Sequence, residues 1–192
     1  MVKGKFCKKC GTPGFDGDYC FYCLEKDLSF DRTFFPFVYE TPVSTWIKEI
    51  KFSKNYSLAY EFGRLLKKLY EGLLKTADTV VPMPISQERL KERGFNQSAI
   101  ITWGFLGYPL KNFHLKKVKH TEPQALLDQS LRWKNVKGVF KCENVLRGKT
   151  VLLIDDVMTT GATASEAARE LKEAGASEVK VLVIAKNITG VS

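Results

Sequence analysis

At 192 residues, with 44% hydrophobic and 12% aromatic side chains and no run of 18 apolar residues, the chain has enough material for one domain with a full core plus a small appendage. That composition argues against disorder and against a membrane-spanning helix. A formal charge of +9 points to polyanionic partners, phosphorylated metabolites or nucleic acid, although a solubilising surface accounts for it about equally well.

The opening MVKGKFC is basic but has no apolar stretch behind it, so no secretory signal is expected and the chain is expected in the cytoplasm without membrane insertion. Cys7, Cys10, Cys20 and Cys23 follow as C-x2-C-x9-C-x2-C within 17 residues. Each pair can present two thiolates to one metal from a tight turn, and two pairs complete the tetrahedral shell zinc prefers. Gly11, Pro13, Gly14 and Gly17 supply the turn chemistry. Two disulfides are the competing reading, disfavoured in a reducing cytosol. Four thiolates leave no open position for water, so the zinc is structural. Residues 1–30 are read as this metal module and 31–192 as the main domain.

Leu58, Phe62, Leu65, Leu66, Leu69 and Leu73 recur at helical spacing and predict an amphipathic helix over about 57–75. Thr79–Val81, Thr150–Ile154 and Val179–Ala185 are short, β-branched runs that fit strands buried on both faces. Between the last two, Ala164, Ala167, Ala168, Leu171 and Ala174 form a helical stripe stopped by Gly175. Strand, helix, strand implies a parallel sheet, hence an α/β fold whose ligands sit at the carboxyl ends of the strands. Residues 106–136 have weak periodicity and read as a long loop. Cys142 reads as a small buried hydrophobe, and His114 and His120 as surface residues, His120 being the candidate proton carrier.

The chemistry concentrates after the Thr150–Ile154 strand: Asp155, Asp156, Val157, Met158, Thr159, Thr160, Gly161, Ala162 and Thr163, then the Ala-rich helix. A glycine and hydroxyl turn that opens a helix aims backbone N–H groups and the positive helix end at one point, an anion site suited to a monophosphate. Ionised Asp is acceptor-only and suits the vicinal hydroxyls of a sugar. Neither a Walker A loop nor G-x-G-x-x-G is present. The plainer alternative, a T-x-x-E capping box from Thr163 and Glu166, explains two residues of the turn and leaves the rest without purpose. Exchange of both aspartates for Asn changes little volume and is expected to leave thermal stability intact. Seven basic residues, Arg89, Lys91, Arg93, Lys111, Lys116, Lys117 and Lys119, stand against Glu88 and Glu92 over residues 85–120.

Val151–Thr163 closely resembles the phosphoribosyl pyrophosphate motif of type I phosphoribosyltransferases. Three further segments resemble ComF-family competence proteins in order: the four-cysteine head; Val81-Pro82-Met83-Pro84 with Arg89 to Gln97; and Thr121 through Pro123-Gln124, Leu127, Arg132, Asn135-Val136 and Gly138-Val139-Phe140. The resemblance covers nearly the whole chain and departs from the family pattern at Lys117, Lys119 and Val139. It implies a type I phosphoribosyltransferase-like parallel sheet. It also implies that Asp155 and Asp156 hold ribose hydroxyls, that Thr159, Thr160, Gly161, Ala162 and Thr163 take the 5′-phosphate, and that Val157 and Met158 belong to the same substrate site. Pro82, Met83 and Pro84 would form the pyrophosphate loop, Arg89 and Arg93 would neutralise pyrophosphate, and Lys119 and Arg132 would flank a hood over the sugar. Magnesium bridging ribose and pyrophosphate oxygens would accompany the donor.

Two functions follow from the resemblance. One is pentosyl transfer from phosphoribosyl pyrophosphate to a base-like acceptor. The other is a competence factor for DNA uptake that binds the donor, or single-stranded DNA, without turnover. Phe95, Trp103, Phe105, Trp133 and Phe140 with the basic charge suit single-strand stacking, although aromatic residues are core by default.

Overall fold

The protein is represented by a computed structural model that describes residues 6–14, 17–111, 114–119, 133 and 135–188. In chain order the elements are α1 (Phe21–Lys26), β1 (Arg32–Phe34), β2 (Phe37–Val38), α2 (Val43–Phe52), α3 (Tyr56–Tyr70), α4 (Gly72–Thr76), β3 (Thr79–Pro82), α5 (Gln87–Arg93), α6 (Gln97–Leu106), β4 (Leu115–Lys117), β5 (Phe140–Cys142), β6 (Thr150–Met158), α7 (Ala162–Glu173) and β7 (Glu178–Lys186).

The main sheet runs β1-β7-β6-β3, every pair parallel, with β2 continuing along the same edge of β7 as β1. β6 and β7 are apolar on both sides because helices cover both faces. Val151, Leu153, Val179, Val181 and Val183 face one cluster with α7 and the four cysteines. Leu152, Ile154, Leu182 and Ile184 face a second, built from α2, α3 and α6. The strand–helix–strand unit expected at the C-terminal end is therefore present, and the architecture is α/β.

Three details depart from the sequence reading. β6 does not stop at Ile154. It stays paired with β7 through Asp155↔Val183, Val157↔Ala185 and Met158↔Lys186, so the acidic pair lies within the strand's last turns of pleat. The helix expected over 57–75 ends at Tyr70, and Leu69 is 51% exposed; the buried face is Ala59, Phe62, Gly63 and Leu66. Its contact with α6 is centred on glycine instead of leucine. A Cβ on Gly63 would strike the Ile101 carbonyl oxygen, and one on Gly104 the Tyr60 carbonyl oxygen, so the two backbones touch. Within the region read as a loop, β4 pairs antiparallel with β5 and buries Leu115. Thr121, Pro123, Gln124, Leu127, Arg132 and His120 lie outside the described residues.

The helix α2, which the periodicity search did not single out, buries Val43, Ile47 and Ile50 on one side. Lys48 is exposed on α2, while Lys51, four residues after Ile47, flanks the buried side. Asn55 caps α3, its side chain accepting from the Leu58 N–H at 3.0 Å.

The glycine crossing gives a direct test of this packing. Gly63→Ala and Gly104→Ala are each expected to lower unfolding free energy by about 1–3 kcal/mol through overpacking. Gly72→Ala, where an added Cβ meets nothing within 4 Å, should be neutral or mildly stabilising. Urea denaturation of the three variants measures the contrast, and equal behaviour of all three would contradict the crossing.

Candidate functional site

The two carboxylates at the end of β6 have different surroundings. Asp156 is 4% exposed, and its Oδ2 accepts from the Lys51 ammonium at 2.8 Å and from Gln97 Nε2 at 3.5 Å, while Oδ1 accepts from the Val157 N–H at 2.8 Å. Asp155 is only half-buried. Its Oδ1 accepts from Ser98 Oγ at 2.8 Å and from the Asp156 N–H at 2.9 Å. Burial, and next the adjacent Asp156 charge, push the Asp155 carboxyl up to about 7. Burial alone would depress the Lys51 ammonium, but the Asp156 carboxylate outweighs it and raises its pKa. An exchange of both aspartates for Asn is therefore not neutral, contrary to the volume argument: it strands the half-enclosed Lys51 charge without its partner.

The segment Arg89–Gln97 is a positioning device in which nearly every residue has a part. Ser86 caps α5 by accepting from the Arg89 N–H at 3.4 Å, and Gly94, at φ +79°, ends it in a conformation that disfavours a side chain. Phe95 is buried edge-on against Tyr56, with ring centroids 4.5 Å apart. Asn96 caps α6 through the Ser98 N–H at 3.0 Å and donates to the Met83 carbonyl at 3.0 Å, tying this turn to the loop after β3. Gln97 links Arg93, which donates to its Oε1 at 3.2 Å, to Asp156.

These groups open on one cavity of about 540 Å³. Its lining includes Met83, Pro84 and Ile85 after β3, Arg89 and Arg93 of α5, and Asp155, Asp156, Val157, Met158 and Thr159. Gly161, Ala162 and Thr163 at the start of α7 complete that wall. Most residues singled out from the sequence thus come together. Pro82 does not line it, being paired with Ile154 as the last residue of β3. Thr160 Oγ1 faces its own turn, accepting from the Ala162 N–H at 3.4 Å. Lys119 is exposed and stands beside Gly138; Lys117 on β4 takes the place at the cavity. Sequence reasoning missed Tyr39, Lys48, Lys51 and Phe52. The available signal was Lys48 and Lys51 at i, i+3 beside the apolar stripe of α2.

Five basic side chains, Lys48, Lys51, Arg89, Arg93 and Lys117, line the same space as Glu92 and the aspartates. Burial, and then Arg93, lower the Arg89 pKa, while burial followed by Arg89 pushes Lys117 down to about 8. Crowding and desolvation of like charges lower their pKa values in this way. The capping-box alternative does not form: α7 has no side-chain cap, and Glu166 instead accepts from the Gly138 N–H at 2.6 Å and pairs with Arg169 at 2.7 Å.

Behind the turn lie the four cysteines, all buried, their sulfurs within 4.8 Å of one another. Cys7–Cys23 and Cys10–Cys20 are each separated by 3.6 Å between sulfurs. A tetrahedral zinc with Zn–S of about 2.3 Å requires S···S of about 3.8 Å, so the set fits that ion. The donating Cys23 thiol lowers Cys10 to about 4, while burial holds Cys20 up at about 11 and Cys10 pushes Cys23 above the usual thiol range. Four thiolates cannot coexist here without a cation. The segment leaving the cluster backs the anion turn: Phe30 lies 3.3 Å from where a Cβ of Gly161 would be, and the Ser29 N–H donates to Ser165 Oγ at 2.9 Å. Cys142, by contrast, is only partly buried, its thiol donating to the Asn144 carbonyl at 3.4 Å.

A parallel sheet whose inner strand ends in an acidic pair, followed by a hydroxyl turn at a helix start, is the arrangement of the type I phosphoribosyltransferase fold. The family model described as phosphoribosyl transferase domain matches residues 86–191. DNA utilization protein YhgH of Escherichia coli K12 is 31% identical over 193 residues, covering 95% of this chain and 84% of that protein. Competence protein F of Haemophilus influenzae is 29% identical over 195 residues, covering 94% and 84%. Competence protein ComFC of Bacillus subtilis is 28% identical over 188 residues, covering 91% and 74%. The chain belongs to the ComF family of competence proteins, built on the phosphoribosyltransferase fold. No helix among the described residues is long and apolar enough to cross a membrane.

Two outcomes are expected. Elemental analysis should find one zinc per chain, and its chelation should lower the midpoint of the main thermal transition, because the cysteines share a cluster with Val181 and Val183. A main transition that ignores chelation would separate the two. The second outcome concerns pH. Asp155 ordinarily ionises at 3.8 and in the fold at about 7, so the folded state holds its proton more tightly. The associated stability is complete below pH 3.8 and is lost as pH rises through 7. Asp155→Asn should therefore melt above the parent at alkaline pH, with the gap narrowing as pH falls below 7; thermal melts across pH read this, and a constant gap would refute it.

Proposed function

We propose that the cavity binds phosphoribosyl pyrophosphate with magnesium, and that the chain serves DNA uptake as a ComF-like phosphoribosyltransferase-fold protein. The observation that carries the reading is the meeting, in one cavity, of an acidic pair, an anion turn at the start of α7 and a basic wall from α2, α5 and β4. The cavity volume is that of an ordinary small-molecule site. The roles that name the relatives, DNA utilization and competence, supply the biological setting.

In this reading the turn Thr159–Thr163 and the amino end of α7 receive the 5′-phosphate, through backbone N–H groups and the Thr159 and Thr163 hydroxyls. Asp155 accepts from a ribose hydroxyl, with Ser98 fixing its carboxylate; Asp156, held by Lys51, orients the second. The Met83–Ile85 loop, tethered by Asn96, faces the pyrophosphate, with Arg89 and Arg93 beside it. In transfer, the bond from the anomeric carbon to pyrophosphate oxygen breaks as the bond to the acceptor nucleophile forms, and pyrophosphate leaves with the electron pair. The arginines stabilise the charge that develops on it. Bound magnesium would neutralise the donor's phosphates.

A second reading, single-strand binding without turnover, is favoured by one feature: Phe52 is 74% exposed at the cavity, beneath the Arg93 guanidinium at 5.8 Å from its ring centroid. An aromatic face beside a cation suits an unstacked base. The other aromatic candidates contribute less, since Phe95, Phe105 and Phe140 are buried and Trp133 donates to Tyr22 Oη at 3.0 Å.

Calorimetric titration with phosphoribosyl pyrophosphate and magnesium tests the first reading. Asp155→Asn, which leaves the Lys51–Asp156 pair intact, should weaken the donor by tenfold or more, about 1.4 kcal/mol. Unchanged affinity in the folded variant would place the donor elsewhere and leave the single-strand reading. Pyrophosphate release with a panel of nucleobases then reads turnover.

A further inference from the structure

We propose that Lys51 is a resident counter-cation for the acidic pair, so that the sugar end of the cavity takes a 5-phosphorylated sugar with a vicinal diol without a divalent cation, and only the pyrophosphate end calls for one. The inference rests on the donor-binding reading above and concerns how charge is balanced within it.

Lys51 occupies the last turn of α2, one turn beyond Ile47 and beside the face locked into the core by Val43, Ile47 and Ile50. The helix cannot slide without unpacking that face, so the ammonium has a set position 2.8 Å from Asp156 Oδ2. Asp156 is nearly closed to solvent, and its oxygens already accept from Lys51, Gln97 and the Val157 N–H. A carboxylate so occupied is a poor ligand for a second cation, and a divalent ion placed there would stand against an ammonium. Asp155 differs. Among the described residues its Oδ2 has no hydrogen-bond partner, and it is the member of the pair that lines the cavity with an oxygen to offer.

The charge balance agrees with the geometry. One carboxylate is matched by Lys51, and burial with the Asp156 charge raises the pKa of the other to about 7, leaving it about half protonated at neutral pH. A sugar monophosphate therefore meets no strong negative field at the diol, and its phosphate goes to the α7 turn. Pyrophosphate brings further negative charge to the Arg89 and Arg93 side, where a divalent ion that arrives with it has room.

The test is calorimetry of the full, zinc-loaded chain with ribose 5-phosphate and with phosphoribosyl pyrophosphate. Each is titrated with magnesium and in resin-treated buffer without it, avoiding chelators that strip the cysteines. The parent should bind ribose 5-phosphate equally, within about twofold, in both buffers. Lys51→Met should lose about tenfold or more without magnesium and recover when it is added, because a bare carboxylate pair now recruits the ion. Lys51→Arg should behave as the parent. Circular dichroism checks folding, and if Lys51→Met does not fold, Lys51→Gln, which keeps a donor for Asp156 without the charge, is read in the same way. Magnesium-dependent binding of ribose 5-phosphate by the parent, or a folded uncharged variant indifferent to magnesium, overturns the inference while the donor site stands. Failure of the parent to bind either ligand overturns both.

Discussion

Two adjacent carboxylates lie at the end of a strand that is covered on both faces, and the placement of the surrounding elements answers that constraint. Left unpaired, charges in such surroundings would be costly or would be lost to protonation. Here one is met by the Lys51 ammonium at 2.8 Å and the other by the Ser98 hydroxyl at 2.8 Å. Those two groups come from α2 and α6, helices far apart in sequence. Both are packed on the same side of the sheet, in the cluster that contains Leu152 and Ile154. The glycine contact between α3 and α6 lets that layer close tightly enough for Ser98 and Gln97 to reach the strand.

The opposite layer answers a different need. An anion turn must keep its N–H groups aimed at one point, yet its own glycine and hydroxyl residues give it little stiffness. The turn at Gly161 is backed by Phe30 and by the Ser29–Ser165 hydrogen bond, both on the segment that leaves the four-cysteine cluster. At the far end of β7, Lys186 is 1% exposed; burial lowers its pKa, against the attraction of the cysteine sulfurs. The four-cysteine cluster thus forms part of the wall behind the turn at Gly161.

The family-specific segment Arg-Gly-Phe-Asn-Gln gains a physical account from the same geometry. Gly94 stops α5, Phe95 anchors the turn in the core, Asn96 starts α6 while holding the Met83 carbonyl, and Gln97 bridges Arg93 to Asp156. A glycine-stopped helix followed at once by an asparagine-capped one gives a fixed corner. That corner sets the basic face of α5 opposite the acidic end of β6, bringing cations and carboxylates to one cavity without direct neutralisation of Arg89.

Much of this was legible in the residues themselves. The paired cysteine spacing predicts a four-sulfur cluster because two local turns bring each pair together, and the four sulfurs lie within 4.8 Å of one another in a group that could hold a metal. The runs of β6 and β7 and the alanine stripe between them specify a parallel unit because strand and helix periods are local properties of the chain. The turn at Asp155–Thr163, which spans the end of β6 and the start of α7, is readable as a strand-to-helix turn for the same reason. What the tertiary structure decided lies in contacts between distant segments. Lys51 and Asp156 are separated by more than half the chain, and no local pattern marks a lysine in a short helix as the partner of a buried carboxylate. The exposure of Leu69, the place of Lys117 in preference to Lys119, and the use of Glu166 as an acceptor for Gly138 likewise depend on which surface comes to face which. Periodicity encodes a residue's direction from its own element, whereas pairing depends on the packing of elements against one another, and that is set by the whole core at once.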